Sequence, residues 1–466
     1  MRQGLRLLLG LGSMLAAAPA VAQTQPHTLQ EALTAAYSTN PTLLAARAAL
    51  RAVDEGVPAA LAGWRPQVSL AGSVGYADGS IRSYARQSGV SIIRNNRDEL
   101  TAQATVTQPI YTGGRTIAST HAAENRVLSQ RGRLLATEQL VFTNVINDFV
   151  NVIQTQQLLQ LNLNNEQVLS RQLQATNDRF RVGEITRTDV AQAEAALANA
   201  RATRQTAEGN VQTARAAYQR DVGFLPDRLV EPQPLAVPLK TSNEAGQLAA
   251  ANNPNLIYTM FDAAASKDNV DIAFSALMPQ VNASASASRN DNTVFARQRA
   301  IGGQALLNLS VPLYQGGAEY ASVRQARQTE QQSRKTVDDT RRQVIQSAIS
   351  SWETLKAARA TIESTRAAIR ANEIALEGTQ REAIVGSRTT LDVLNAEQIL
   401  LQSRSTLVQN LASLVTSSYT LAAAIGRLTA RDLNLNVPLY DDKAYYTAVH
   451  DRLFGTGDYE LTQPGR

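Results

Sequence analysis

Hydrophobic and polar positions along this chain follow two periods, and each period occurs twice. Val68, Leu70, Gly72, Val74 and Tyr76 alternate with small or polar residues, and Leu100, Ala102, Ala104 and Val106 alternate with Thr101, Gln103, Thr105 and Thr107. Further on, Val281, Ala283, Ala285 and Ala287 alternate with Asn282, Ser284, Ser286 and Ser288, and Ala305, Leu307, Leu309 and Val311 with Leu306, Asn308 and Ser310. Period two predicts strands. Each segment is about ten residues long, the length of a strand that crosses a bilayer with one lipid face and one wet face. Alternation by itself fits a soluble amphipathic hairpin equally well.

The second period is seven. Val145, Val152, Leu159 and Leu173 fall on one ladder interrupted by Glu166, and Ala348, Leu355, Ile362, Ile369 and Leu376 fall on another. Sustained seven-residue spacing predicts long helices packed as left-handed coiled coils. The two halves are copies. QPIYTGGR (Gln108 to Arg115) returns as VPLYQGGA (Val311 to Ala318), and VGEITRTDVAQAE (Val182 to Glu194) as VGSRTTLDVLNAE (Val385 to Glu397), both displaced by 203 residues. Two distant motifs with one displacement mark a duplicated structural unit. Gly114 to Glu184 and Gly317 to Ser387 are each 70 residues apart, and a continuous helix of that length would run roughly 105 Å.

Each copy opens with a capped helix, Thr28 with Glu31 and Thr241 with Glu244 in capping-box spacing, and is stopped and restarted at Asn40-Pro41 and Asn253-Pro254. Helix then continues to about Leu61 and Ser275. The strand connections differ: Asp78 to Asp98 is polar, basic and about ten residues longer than Asn290 to Ala300, as exposed loops tolerate. After the Val-Gly turns a second helix runs back to Gly223 and Gly426. The tail after Leu433, with Leu439, Tyr440, Tyr445, Tyr446 and Phe454, is expected to pack around the outside of the helices.

Composition narrows the setting. Arg2 and Arg6, the apolar run Leu7 to Ala18 and Ala20-Val21-Ala22 read as a secretory signal, residues 1–22. Its removal takes the formal charge from +5 to +3 (5 − 2), too weak a balance over this length to suggest nucleic acid as a partner. The chain has no cysteine, so disulfides, thiolate metal sites and N-terminal cysteine lipidation are excluded. His27, His121 and His450 show no ligand spacing, and HExxH, nucleophile-elbow and Walker patterns are missing. No enzyme reading and no cofactor follow. Four strands of this length cannot close a membrane barrel, whose smallest form has about eight, and open edges are not tolerated in lipid. Closure needs an oligomer, a dimer with eight strands or a trimer with twelve.

Duplicated helix, hairpin, very long helix and return helix, with PxYxGG at one end and VGxxTxxDV at the other, closely resembles the TolC-like outer-membrane channel-tunnels over essentially the whole mature chain. The resemblance implies a mainly α fold with a membrane β-barrel portion: a homotrimer with a 12-stranded barrel in the outer membrane, continued by a 12-helix tunnel in the periplasm. It implies a passive exit duct of a tripartite efflux pump or type I secretion system, joined through a periplasmic adaptor (membrane fusion) protein to an inner-membrane transporter. The organisation expected is a first repeat over 23–223 (strands about 66–77 and 99–111, helical hairpin about 115–222), an equatorial linker over 224–240, a second repeat over 241–426 (strands about 279–290 and 302–314, helical hairpin about 318–425) and an equatorial tail over 427–466.

Pro109, Tyr111, Gly113 and Gly114, with Pro312, Tyr314, Gly316 and Gly317, form the expected barrel-helix junctions, where glycine allows a tight turn and tyrosine suits a headgroup boundary with outer-membrane lipid. Thr186 with Asp189, and Thr389 with Asp392, have capping-box-like spacing, which alone could explain both aspartates. The resemblance implies more. Asp392 would form a carboxylate ring at the narrow periplasmic entrance, with Asn395 where relatives often carry a second aspartate, so this ring is less negative. Arg388, Asp189 and Thr188 would link neighbouring hairpins and hold the entrance shut. Val182, Gly183, Glu184, Ile185 and Thr186, and Val385, Gly386, Ser387 and Thr389, would be the adaptor-docking tips. The competing reading is a periplasmic coiled-coil scaffold or adaptor, although adaptors usually carry one helical hairpin and this chain carries two.

Overall fold

A computed structural model describes residues 25–85, 89–94, 96–294 and 296–457. The secretory signal expected over residues 1–22 lies outside them. The chain runs α1 (Leu29–Thr39), α2 (Pro41–Asp54), α3 (Gly56–Leu61), β1 (Gln67–Ala77), β2 (Ser80–Ala85), β3 (Gly89–Arg94), β4 (Arg97–Tyr111), α4 (Arg115–Arg181) and α5 (Arg187–Val222). It continues with α6 (Ser242–Asn252), α7 (Pro254–Ser275), β5 (Gln280–Asp291), β6 (Arg299–Ser310), α8 (Ala318–Ile384), α9 (Thr390–Ala424) and the short α10 (Ala444–Val449). Helices α4 and α8 are 67 residues each, roughly 100 Å long.

The duplication is geometric as well as textual. Helix α8 repeats α4 at +203, whereas α6 and α7 begin 213 residues after α1 and α2 (242 − 29 and 254 − 41). The ten-residue difference sits in the first strand connection. Sequence patterning reads that connection as a polar loop; the structure instead pairs β2 with β3, Tyr84 opposite Val90 and Arg82 opposite Ile92. The β-branched and aromatic residues scattered among its arginines carry enough strand propensity for a two-stranded extension. A second departure is at Gly56. The first copy breaks into α2 and α3 where α7 runs unbroken, because Pro58 has no N–H to give the carbonyl of Asp54 and Gly56 weakens the preceding turn.

Strands β1, β4, β5 and β6 form one antiparallel sheet in that order, leaving β1 and β6 as unpaired edges. Register sorts its faces: Val68, Leu70, Val74, Leu100, Val106, Leu307 and Leu309 share one, and Ser69, Ser73, Thr101, Gln103, Thr105, Ser286 and Gln304 the other. Leu70 is 83% and Leu307 69% exposed. Such an apolar face, bare in a single chain, marks a surface that meets lipid or another chain. Among the described residues no helix is long and apolar enough to cross a membrane.

The principal core lies midway along the helices. Leu33, Tyr37, Leu43 and Leu50 from α1 and α2 pack on Phe142, Val145, Ile146, Phe149 and Val152 of α4, with Tyr218 of α5 and Leu428 of the tail. Burial of the seven-residue ladders is complete at Val145 and Val152 here and at Ala348 in the second repeat's own cluster, and thins toward the far tips, where Leu376 is only half-buried. The tail is stitched to this belt. Ala430 N–H donates to buried Glu138 (2.6 Å), Tyr440 N–H donates to the Tyr37 hydroxyl (3.0 Å), and Arg47 stacks between the Tyr37 and Tyr440 rings. Phe454, expected to pack, is 89% exposed.

Both kinks are built alike. Asn40 and Asn253 cap the helix that follows through Oδ1, which accepts from Thr42 and Asn255 N–H, while Nδ2 donates to the carbonyls of Asp221 and Ala424 in the last turns of α5 and α9. Each asparagine therefore ties the start of a repeat to its end.

Candidate functional site

The strand-to-helix junctions come from backbone geometry that glycine alone adopts cheaply. Gly113 and Gly114 have φ of 66° and 86°, Gly316 and Gly317 of 72° and 85°, and the second glycine of each pair is the N-cap of α4 or α8. A Cβ on Gly113 would also lie 2.6 Å from Met278 Cβ and 2.7 Å from the Ser275 carbonyl, so this junction is closed against the end of α7. A register shift between Pro109 and Tyr111 lets β4 leave the sheet there. Tyr111 and Tyr314 are exposed, and Pro312 follows the end of β6.

At the other end, Gly183 (φ 79°) and Gly386 (φ 80°) terminate α4 and α8 in matched turns: Gly183 and Glu184 N–H donate to the Phe180 and Arg179 carbonyls, and Gly386 and Ser387 N–H to the Ala383 and Glu382 carbonyls. These are paired helix-ending bonds that satisfy the last carbonyls. The return helices start with complete capping boxes. Thr186 Oγ1 accepts from Asp189 N–H and Asp189 Oδ2 accepts from Thr186 N–H (2.9 Å) and Oγ1–H (2.7 Å); Thr389 and Asp392 repeat the arrangement at 2.9 and 2.8 Å. The Thr186 hydroxyl and amide hold the Asp189 carboxyl below its ordinary range, and the Thr389 amide and hydroxyl do the same for Asp392. Both bonds that each carboxylate accepts from its threonine run to Oδ2.

Within one chain the structure pairs Arg388 with neither Asp189 nor Thr188. Arg388 Nε donates instead to Glu382 Oε2 (2.9 Å), across its own turn, and both side chains are exposed. The first tip has a different brace, Arg179 Nη2 to Glu184 Oε1 at 2.6 Å. Arg179 and Glu382 occupy equivalent places 203 apart with opposite charge, and sequence reading passed over both. The signal is in the sequence: Arg179 stands five residues before Glu184 and Glu382 six before Arg388, each across a turn from the opposite charge. Asp392 and Asn395 stand one turn apart at the start of α9. Val182 and Val385, at the turns expected to dock an adaptor, are each 78% exposed, while Ile185 is half-buried and Thr188 exposed.

A two-faced antiparallel sheet too small to close alone, joined by left-handed glycine turns to helices roughly 100 Å long, defines the class of outer-membrane channels whose bodies continue as α-helical tunnels. The comparisons agree. The family description "Outer membrane efflux protein" matches residues 32–223 and 245–427. The outer membrane efflux protein BepC of Brucella suis is 34% identical over 431 residues, 92% of each chain, and the outer membrane protein TolC of Escherichia coli is 23% identical over 58% of this chain and 57% of its own. The crystal structure of VceC from Vibrio cholerae superposes with a TM-score of 0.72 at 20% identity, covering 85% of this chain and 96% of that one, and CmeC of Campylobacter jejuni with 0.75 at 14%, covering 86% of each. The chain belongs to the outer membrane efflux protein family. It is an exit duct of the outer membrane, with its helical body in the periplasm.

Proposed function

We propose that three copies close into one twelve-stranded barrel and one twelve-helix tunnel, which conducts cargo passively from an inner-membrane transporter, through a periplasmic adaptor, to the exterior. The observation that carries this reading is the sheet with two unpaired edges, β1 and β6, and opposed faces. Edges cannot face lipid, so β6 of one copy pairs with β1 of the next. Eight strands would leave an interior just wide enough for side chains, whereas larger barrels hold water; small polar residues such as Ser69, Ser73, Thr105 and Ser286 on the inner face suit the larger one. An exposed apolar face also argues against a soluble scaffold.

At the periplasmic entrance Asp392 forms a ring of three carboxylates with Asn395 beside it, favouring cations as charged constrictions do. Arg388 bends from Glu382 toward Asp189 and Thr188 of the adjacent hairpin when the entrance is shut, and exposed pairs of that kind are individually weak, so a docking partner can release them. The apolar tips around Val182 and Val385 receive the adaptor. Because the chain has no native cysteine, the assembly can be tested by a cysteine scan along β1 against one fixed cysteine in β6. Oxidation should give covalent species that end at three chains; a ladder that stops at two contradicts the trimer.

A further inference from the structure

The apolar face of the sheet ends in charge on the side away from the helices. Arg289 stands on that face in a row with Gly72, Ala102 and Ile301, and the next row is Val74, Leu100, Asp291 and Arg299. Asp291 holds both guanidiniums: Arg289 Nη2 donates to Oδ2 at 2.8 Å and Arg299 Nε to Oδ1 at 2.9 Å. The carboxylate is largely covered by its two partners, and they are open, Arg299 at 60%. Arg289 lies eight residues along β5 from Val281, which is opposite Leu309. With about 3.4 Å per residue and a strand tilt of roughly 35–45°, that is roughly 20 Å across the membrane, the outer rim of an apolar band about 25 Å tall.

We infer that Arg289 and Arg299, oriented by Asp291, form a binding site on the outside of the barrel for the phosphate of an outer-leaflet lipid headgroup, one per chain. The inference rests on the barrel reading above. One carboxylate against two guanidiniums leaves net positive charge at the lipid surface. Each guanidinium has five N–H donors and spends only its Nε and one Nη on Asp291. The rest form planar forks that match a phosphate, and the shared aspartate fixes their orientation in advance. The surroundings have the complementary sign: apart from Arg299 and Asp291 themselves, the two outer connections, 78–98 and 290–300, carry five arginines against two aspartates. A phosphate-bearing glycolipid fits both halves of the site, its acyl chains against Val74, Leu100 and Ile301 and its phosphate on the arginines. A free phosphate would use only one.

The test is native mass spectrometry of the full-length protein in detergent, with bis-phosphorylated lipid A and its phosphate-free counterpart as probes, while channel activity of the same preparation is recorded in planar bilayers. The expected result is retention of up to three phosphorylated lipids per trimer, with the phosphate-free lipid held about tenfold more weakly, no displacement by millimolar inorganic phosphate, and a similar tenfold loss for Arg289→Gln/Arg299→Gln. Equal retention of the two lipids by the wild type overturns the site without need of any variant, as does displacement by inorganic phosphate or unchanged retention in a folded double variant. Conducting trimers that fail these tests overturn this inference alone; absence of trimers and conductance overturns the duct reading with it.

Discussion

Asn253 gives the sharpest test of how a repeat is tied shut. It is 6% exposed and serves two bonds at once: Oδ1 accepts from Asn255 N–H at 2.9 Å, and Nδ2 donates to the buried carbonyl of Ala424 at 2.9 Å. Asn253→Ala removes the cap, about 1 kcal/mol, and leaves the Ala424 carbonyl without this donor, about 1–3 kcal/mol. Local opening of the α6–α7 junction should thus become easier by about 2–4 kcal/mol, a fall in amide protection of roughly 30- to 1,000-fold. Asn253→Asp separates the two bonds. Aspartate caps a helix as well as asparagine, but it has no donor and sets a carboxylate against the Ala424 carbonyl, so its protection should fall at least as far. Hydrogen–deuterium exchange of peptides covering 250–259, with the equivalent Asn40 junction in the same molecule as reference, reads both effects. Wild-type protection in Asn253→Asp would refute the tie and reduce Asn253 to a cap.

The duplication supplies a second internal comparison. Gly426→Ala places a Cβ 2.3 Å from the Asn252 carbonyl oxygen at φ 78°, whereas Gly223→Ala at φ 90° meets only the Thr39 hydroxyl at 3.7 Å; the first should lose about 2–5 kcal/mol and the second about 1–2, seen as a larger drop in the temperature at which the oligomer dissociates on gels. Asp54 is 1% exposed with neither carboxylate oxygen hydrogen-bonded, and burial pushes its pKa up to about 6. Since the folded value lies above the unfolded one, its contribution is whole below about pH 4 and is lost as pH rises through about 6. Asp54→Asn should therefore be the more stable protein at pH 7.5, by a margin on the order of 2 kcal/mol that closes toward pH 4; a margin independent of pH would contradict this. Asp392→Asn keeps an oxygen for the Thr389 cap and removes only charge, so the reversal potential in a salt gradient should shift away from cation preference while the protein stays folded.

Much of this architecture was legible before any coordinates, and the parts that were share a cause. Period seven, period two and the Gly-Gly and Val-Gly turns are dictated locally, by which face is buried and by φ values that only glycine adopts freely, and these appear in the structure as α4, α8, the four-stranded sheet and its glycine junctions. The capping boxes at Thr186 and Thr389 were likewise readable from spacing. What was not readable depended on contacts distant in sequence. Asn40 and Asn253 were recognisable as helix stops, but nothing nearby says that their amides reach Asp221 and Ala424. The β2–β3 pairing was hidden because arginines interrupt its apolar positions. The resemblance links Arg388 to Asp189 and Thr188 of a neighbouring hairpin, whereas in the single chain it pairs with Glu382 across its own turn, a contact that the motif spacing does not announce.

The central claim is that this chain forms a gated channel, and single-channel recording of the detergent-extracted protein in a planar bilayer, wild type beside Arg388→Ser, tests it most directly. Small, stable openings that grow in the variant are the expected result. A folded protein that conducts nothing in either form would contradict the channel itself and return the exposed face of the sheet to the status of an unexplained surface.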